Sequence, residues 1–180
     1  PTSVAAADLD GDGDLDLVLA PPSAFYYYAA YLGAGLFRPG VRVLANDGSG
    51  AFLDVTGNAW GGPFYSDPFL NARSVSIGDM DGDGARDLVL VTAGAYVLSD
   101  GSGQTRTTGT RVFLNDGGGG FALAPLSMMG DTTAHNGQGI YWTGRESFLG
   151  DLDGDGDLDI VVATSYRYVV YGGWYTMLIK

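Results

Sequence analysis

Fourteen of the chain's 21 acidic residues fall in three nine-residue strings: DLDGDGDLD (Asp8–Asp16), DMDGDGARD (Asp79–Asp87) and DLDGDGDLD (Asp151–Asp159). Carboxylates on alternate residues converge on one centre when the backbone turns sharply between them. Gly11 and Gly13, Gly82 and Gly84, and Gly154 and Gly156 supply that freedom. Two carboxylates about 5 Å apart repel by roughly 3 kcal/mol at an effective dielectric of about 20. A cluster of four contains several such pairs, so an empty loop is expected to protonate, open or fray. A hard, oxygen-preferring cation removes the repulsion. Ca²⁺, with its flexible shell of about six to eight oxygens, suits such a loop better than Mg²⁺, which demands tight octahedral geometry.

The candidate ligands follow from position in the string. Positions 1, 3, 5 and 9 are Asp8, Asp10, Asp12 and Asp16 in the first loop and Asp79, Asp81, Asp83 and Asp87 in the second. In the third they are Asp151, Asp153, Asp155 and Asp159. Position 7 is Asp14, Ala85 and Asp157. Alanine has no ligating side chain, so this position is expected to offer its backbone carbonyl, as in EF-hand loops. Three Ca²⁺ sites are expected. An EF-hand itself is excluded, because it needs Glu at position 12 and flanking helices, whereas position 12 here is Leu19, Leu90 and Val162 in strand-like sequence. The bland alternative is an acidic, solvated turn without metal, and three copies in register argue against it.

The surrounding elements repeat with the loops, which recur 71 and then 72 residues apart. Each is preceded by a short apolar run, such as Val4-Ala5-Ala6 or Val75-Ser76-Ile77, and followed by a buried-strand pattern: Leu17–Ala20, Leu88–Val91 or Ile160–Ala163. Each aspartate loop is therefore expected to join two strands. A second element keeps step. Val43-Leu44-Ala45-Asn46-Asp47-Gly48 matches Val112-Phe113-Leu114-Asn115-Asp116-Gly117, and Asn-Asp-Gly between apolar runs signals a tight hairpin.

One repeat thus holds four antiparallel strands, the blade of a β-propeller. The expected fold is all-β, with about two and a half blades and the metal loop between the first two strands of each. Repeat one is placed at 1–57, repeat two at 74–125 and a truncated repeat three at 147–180, with long connections at 58–73 and 126–146. Propellers close with about four to eight blades, so the chain is expected to be part of a longer protein. The alternative is that several copies assemble through exposed strand edges.

Composition narrows the function classes. The chain has 180 residues, 30 of them glycine, with a formal charge of −12. That charge excludes the basic footprint that nucleic acid requires, and three divalent cations would halve it. Hydrophobic content of 46% argues against a disordered acidic chain. There is no cysteine, hence no disulfide or thiolate metal site. No stretch approaches the length of a membrane span. The sequence opens at Pro1 directly in strand-like residues and is read as a processed end or a fragment edge. Gly117–Gly120 is not a phosphate loop, because it closes a hairpin and lacks the Lys-Ser/Thr ending.

The D-x-D-G-D-G-x-x-D loop followed by L-V-L-A or I-V-V-A, and then by an L-N-D-G-x-G-x-F hairpin, resembles the FG-GAP/VCBS repeat family. Its best-known relatives are the β-propellers of integrin α chains, and many bacterial secreted proteins carry the same repeat. The resemblance covers nearly the whole chain apart from the connections. It implies calcium in each blade, held by Asp8, Asp10, Asp12, Asp14, Asp16 and their counterparts, and a secreted or cell-surface location. The Phe-Gly pair that names the family is weak: the nearest is Phe148-Leu149-Gly150, against Ala5-Ala6-Ala7 and Ser76-Ile77-Gly78 in the other copies. The resemblance is therefore closer to the bacterial branch, and integrin-style ligand binding is not implied.

Aromatic residues crowd the connections: Tyr26, Tyr27, Tyr28 and Tyr31; Trp60, Phe64, Tyr65 and Phe69; Tyr141 and Trp142; and Tyr166, Tyr168, Tyr171, Trp174 and Tyr175. Such faces stack on sugars or grip protein partners; the plainer reading is packing between blades. His135, the single histidine, has no nucleophile motif beside it. Outside the loops the acids are Asp47, Asp54, Asp67, Asp100, Asp116, Asp131 and Glu146. Nothing specifies a glycosidase pair among them. The expected function is a non-enzymatic, calcium-binding extracellular module for adhesion or for recognising a glycan or protein. The alternatives are a fibre-forming subunit and the propeller domain of a polysaccharide lyase or hydrolase.

Overall fold

The computed structural model describes residues 3–20, 41–59, 72–92, 95–97, 105–107, 110–125, 144–164 and 175–179. The first sheet has the order β1 (Ser3–Ala7), β2 (Asp16–Ala20), β3 (Arg42–Asn46) and β4 (Phe52–Asp54), with all pairs antiparallel. The second repeats it: β5 (Ala72–Gly78), β6 (Asp87–Thr92), β9 (Arg111–Asn115) and β10 (Phe121–Leu123). The third sheet holds β11 (Gly144–Gly150), β12 (Asp159–Thr164) and β13 (Tyr175–Ile179). The expected four-stranded antiparallel unit is present in the first two repeats, and each aspartate string joins the first two strands of its sheet.

Register explains the placement of the loops. Ala7 faces Asp16, Gly78 faces Asp87 and Gly150 faces Asp159, so each loop leaves and re-enters its sheet at equivalent rungs. The register also shifts between Ala72 and Ser74 and between Gly144 and Glu146, leaving Arg73 and Arg145 as matching bulges. Strands β5 and β11 begin inside stretches that the sequence reading left to the connections. Two elements carried no expectation: the hairpin of β7 (Ala95–Val97) with β8 (Thr105–Thr107), and a single helical turn at Thr56–Ala59.

The core lies between sheets. Val18, Ala20, Val41 and Val43 of the first repeat pack with Val75, Leu88, Leu90, Phe113 and Phe121 of the second. Val89, Val91, Val112 and Ala124 pack with Ile160 and Val162 of the third. Strand β6 therefore sends alternate residues into two cores, which is why Leu88-Val89-Leu90-Val91 is apolar without alternation. The seams are close. A Cβ placed on Gly144 would stand 2.1 Å from Val91 Cγ1, and one on Gly78 would stand 2.7 Å from Leu158 Cδ1. Ser3 Oγ accepts the Val75 amide at 3.2 Å, and the Ser76 hydroxyl donates to the Ser147 carbonyl at 2.9 Å, so polar groups also tie neighbouring repeats.

Candidate metal centres

Each loop is shaped by its own carboxylates. The glycines at positions 4 and 6 adopt φ of 79° and 94° in the first loop, 78° and 94° in the second, and 79° and 98° in the third. That left-handed backbone is the conformation an L side chain resists. It turns both amides back onto position 1. Gly11 and Gly13 donate to the two oxygens of Asp8 at 2.8 and 3.0 Å. Gly82 and Gly84 do the same to Asp79 at 2.8 and 3.0 Å, and Gly154 and Gly156 to Asp151 at 2.7 and 3.1 Å.

Position 9 closes each loop from inside the sheet. Asp16 and Asp87 are each 1% exposed, and Asp159 is 8% exposed. One oxygen accepts the amide of position 2: Leu9 to Asp16 at 2.9 Å, Met80 to Asp87 at 2.7 Å and Leu152 to Asp159 at 2.9 Å. In the first two repeats the other oxygen accepts the amide that opens the hairpin turn, from Asn46 and from Asn115, both at 2.8 Å.

Three carboxylates per loop converge. Asp8, Asp10 and Asp16 each offer one oxygen, and these three oxygens all lie within 4.8 Å of one another; Asp79, Asp81 and Asp87, and Asp151, Asp153 and Asp159, repeat the arrangement. Positions 1, 3 and 9 thus form the inner group. Position 5 stands outside it: Asp12, Asp83 and Asp155 each use Oδ1 to accept the amide of position 7, at 2.9, 2.8 and 3.0 Å. At position 7, the Asp14 carboxylate lies beside Gly48, where a Cβ would meet its Oδ2 at 2.5 Å. This side chain turns toward the hairpin. Each group is able to hold a metal ion, because every inner carboxylate keeps lone pairs beyond those its amide partners use.

In the first two clusters, one carboxylate each is disfavoured as a charged group. Asp10 is pushed above the ordinary carboxylate range by loss of solvent and by the charges of Asp16, Asp12 and Asp8, which together outweigh the Asp12 amide. Asp87 is pushed up by burial first, and by Asp81 and Asp83, against the amides of Asn115 and Met80. A bound cation would act in the opposite direction on both.

The other acids are engaged elsewhere. Asp47 and Asp116 serve the hairpin turns, as expected: the Ser49 hydroxyl and amide hold Asp47 below its usual range, and the Gly118 and Gly120 amides do so for Asp116. Burial works to raise Asp54, but the Thr56 hydroxyl and Arg42 overcome it and keep the carboxyl low. Glu146 is exposed. His135, Asp67, Asp100, Asp131 and the aromatic connections lie outside the described residues, as does the side chain of Tyr175.

Sequence reasoning missed Asn46 and Asn115 as working residues. Their side-chain amides grip loop carbonyls: Asn46 Nδ2 donates to Leu15 O at 3.2 Å, and Asn115 Nδ2 to Arg86 O at 3.1 Å. The available signal was that asparagine, in particular, recurs at the same place in both hairpins.

The first aspartate loop, with the strands on either side of it, decides the comparison with known families. Residues 1–35 match the FG-GAP repeat. This supports the repeat family for the segment that carries the first cluster, and the second and third loops repeat the hydrogen bonds of the first, as in the amide of position 4 to position 1 at 2.8, 2.8 and 2.7 Å. No curated protein matches the chain closely enough to count as a relative. Among the described residues, no helix is long and apolar enough to cross a membrane.

Proposed function

We propose that the chain is a calcium-binding, extracellular β-propeller module that recognises a glycan or a protein and performs no catalysis. The observation that carries the metal assignment is the convergence of positions 1, 3 and 9 in all three loops. An all-oxygen donor set on a loop built of glycines suits calcium, whose shell of about six to eight oxygens is flexible, better than magnesium, which demands tight octahedral geometry. Asp8, Asp10 and Asp16 would hold the first ion, Asp79, Asp81 and Asp87 the second, and Asp151, Asp153 and Asp159 the third. Asp12, Asp83 and Asp155 and the carbonyls of Asp14, Ala85 and Asp157 would complete the shells. Calcium would supply charge neutralisation and would lock the loop between two strands.

Two four-stranded antiparallel sheets and a third of three described strands, stacked at a near-constant repeat, support propeller blades that begin at β1, β5 and β11. FG-GAP repeats are typical of extracellular proteins and often bind calcium, which supports both the ion and the location. Extracellular modules bind calcium at about 10⁻⁴ to 10⁻³ M, a range that calcium outside cells keeps occupied. Outside the loops, Asp47 and Asp116 are committed to turns and Asp54 to Thr56 and Arg42, which favours recognition over catalysis.

The test is thermal unfolding of the chain in excess calcium and in EDTA. Each loop filled to about a hundred times its dissociation constant adds about 2.7 kcal/mol through mass action. The midpoint is therefore expected to fall by several degrees on chelation. Superimposable melts would overturn the metal assignment. A glycan array probed in calcium, together with an assay for polysaccharide cleavage, separates the recognition reading from the enzymatic one.

A further inference from the structure

We infer that Asn115 couples the first two aspartate loops, so that occupancy of either raises the other's affinity for calcium. This rests on the calcium reading above. The side chain lies at the junction of two repeats and is only 4% exposed. One amide group reaches two loops: Asn115 Nδ2 donates to Leu9 O of the first at 2.8 Å and to Arg86 O of the second at 3.1 Å. The NH₂ group has two hydrogens, so both bonds form at once. The same residue's backbone amide donates to Asp87 Oδ1 at 2.8 Å, while the Leu9 amide donates to Asp16 Oδ2 at 2.9 Å.

A continuous route therefore runs from one position-9 carboxylate to the next: Asp16, Leu9, Asn115, Asp87. The turn that carries Asn115 also lies on the first loop. A Cβ on Gly119 would stand 3.5 Å from Asp10 Cβ, and one on Gly11 would stand 3.5 Å from the Gly117 carbonyl. Leu9 beneath it is 2% exposed, whereas Leu152, at the same place in the third loop, is 55% exposed. Asn115 Oδ1 accepts the Gly117 and Gly119 amides at 3.0 and 3.3 Å, so the side chain is held rigidly by its own turn.

The coupling is one of shared ordering. Filling the first loop orders Leu9–Gly11 and with it the Leu9 carbonyl that Asn115 grips. The Asn115 amide is then already in place for Asp87, and the second loop loses less conformational freedom when it fills. Linkage makes the effect reciprocal. The third loop has no part in this route and serves as an internal control.

Calcium titrations of the whole chain, followed by NMR, separate the loops by their glycine amides: Gly11 and Gly13, Gly82 and Gly84, Gly154 and Gly156. Disabling the second loop with Asp81→Asn is expected to weaken the first by about five-fold or more. In an Asn115→Asp background, which keeps the turn acceptor but lacks the donor, the same change should leave the first loop unaltered. Asn115→Ala repeats the comparison without a new charge. Without metal, hydrogen exchange at the Leu9 amide should quicken in both Asn115 variants while that at Leu152 stays constant. Binding with an equal Asp81→Asn effect in every background, or with none in the native one, overturns the coupling alone. Glycine amides unmoved by calcium in the native chain overturn the calcium reading as well.

Discussion

In the hairpin turn at Asn115–Gly120, one carboxylate faces a ring of donors: Asp116 Oδ1 accepts the amides of Gly118 at 2.9 Å and Gly120 at 3.0 Å. In the neighbouring loop at Asp79–Asp87, three carboxylates converge with a fourth outside them, and Asp87 is both buried and close to two like charges. Both segments are Asp and Gly with left-handed glycines, at φ 80° for Gly117 and 78° for Gly82. Yet Asp116 is held below the usual carboxylate range and Asp87 is lifted above it. The difference lies first in burial, since each carboxylate accepts two backbone amides but only Asp87 is withdrawn from solvent, and then in the like charges beside it. An exposed carboxylate held by two amides favours its charged form, whereas a buried one among like charges is pushed the other way despite the same number of amides.

Several experiments would break or sharpen this contrast. The largest effect is expected from Asp87→Ala, which strands the buried amides of Met80 and Asn115. At about 1–3 kcal/mol for each unsatisfied group, the loss should be roughly 2–4 kcal/mol by urea denaturation in EDTA, and larger in calcium because the second loop's metal-dependent gain goes with it. Asp116→Ala, on the exposed turn, should cost much less and should not respond to calcium. Equal losses would mean that burial does not distinguish the two carboxylates.

Next in size is Asp81→Ala, whose carboxylate belongs to the inner group but sits at the surface. Its stability in EDTA should stay near that of the native chain, while the calcium-dependent gain should shrink by about one loop's share, near 2.7 kcal/mol at a hundredfold excess over the dissociation constant. An unchanged gain would remove Asp81 from the ligand set.

The smallest effect concerns pH. Asp87 has a folded pKa above the ordinary value of 3.8, so the folded state holds its proton longer than the unfolded one. Its contribution is complete below 3.8 and is lost as pH rises through the folded pKa. Asp116 and Asp47, shifted down, contribute in full above 3.8 and lose that contribution as pH falls through their folded values. In EDTA, the decline in melting temperature as pH rises above 4 should be shallower in Asp87→Asn. Asp116→Asn should instead soften the decline on the acid side. Excess calcium should flatten the first slope and leave the second.

Much of this arrangement was legible beforehand because it depends on local spacing. Alternate aspartates with glycines between them imply a folded-back loop, and the apolar runs beside them imply strands; both are decided within a few residues. The division of labour inside the loop was not legible. Asp12 and Asp16 look alike on the page, but Asp16 is buried because its strand enters the sheet there, and its second oxygen meets Asn46, thirty residues away. Asn115 reads as a turn residue because Asn-Asp-Gly is a turn signal. Its grip on Leu9, 106 residues distant, depends on how two sheets stack. The β7–β8 pair was missed because Ala95–Val97 and Thr105–Thr107 are too short to set a period.

Gly144 marks where the third sheet meets the second, with its backbone set against Val91 and Val162 so closely that no methyl group fits. The pitch of the array, the step from one cluster to the next, is therefore set here by van der Waals contact rather than by charge. Enlarging Gly144 to alanine would wedge the seam and displace the third cluster as a rigid piece, altering the distance between neighbouring clusters while leaving the carboxylates of each in place.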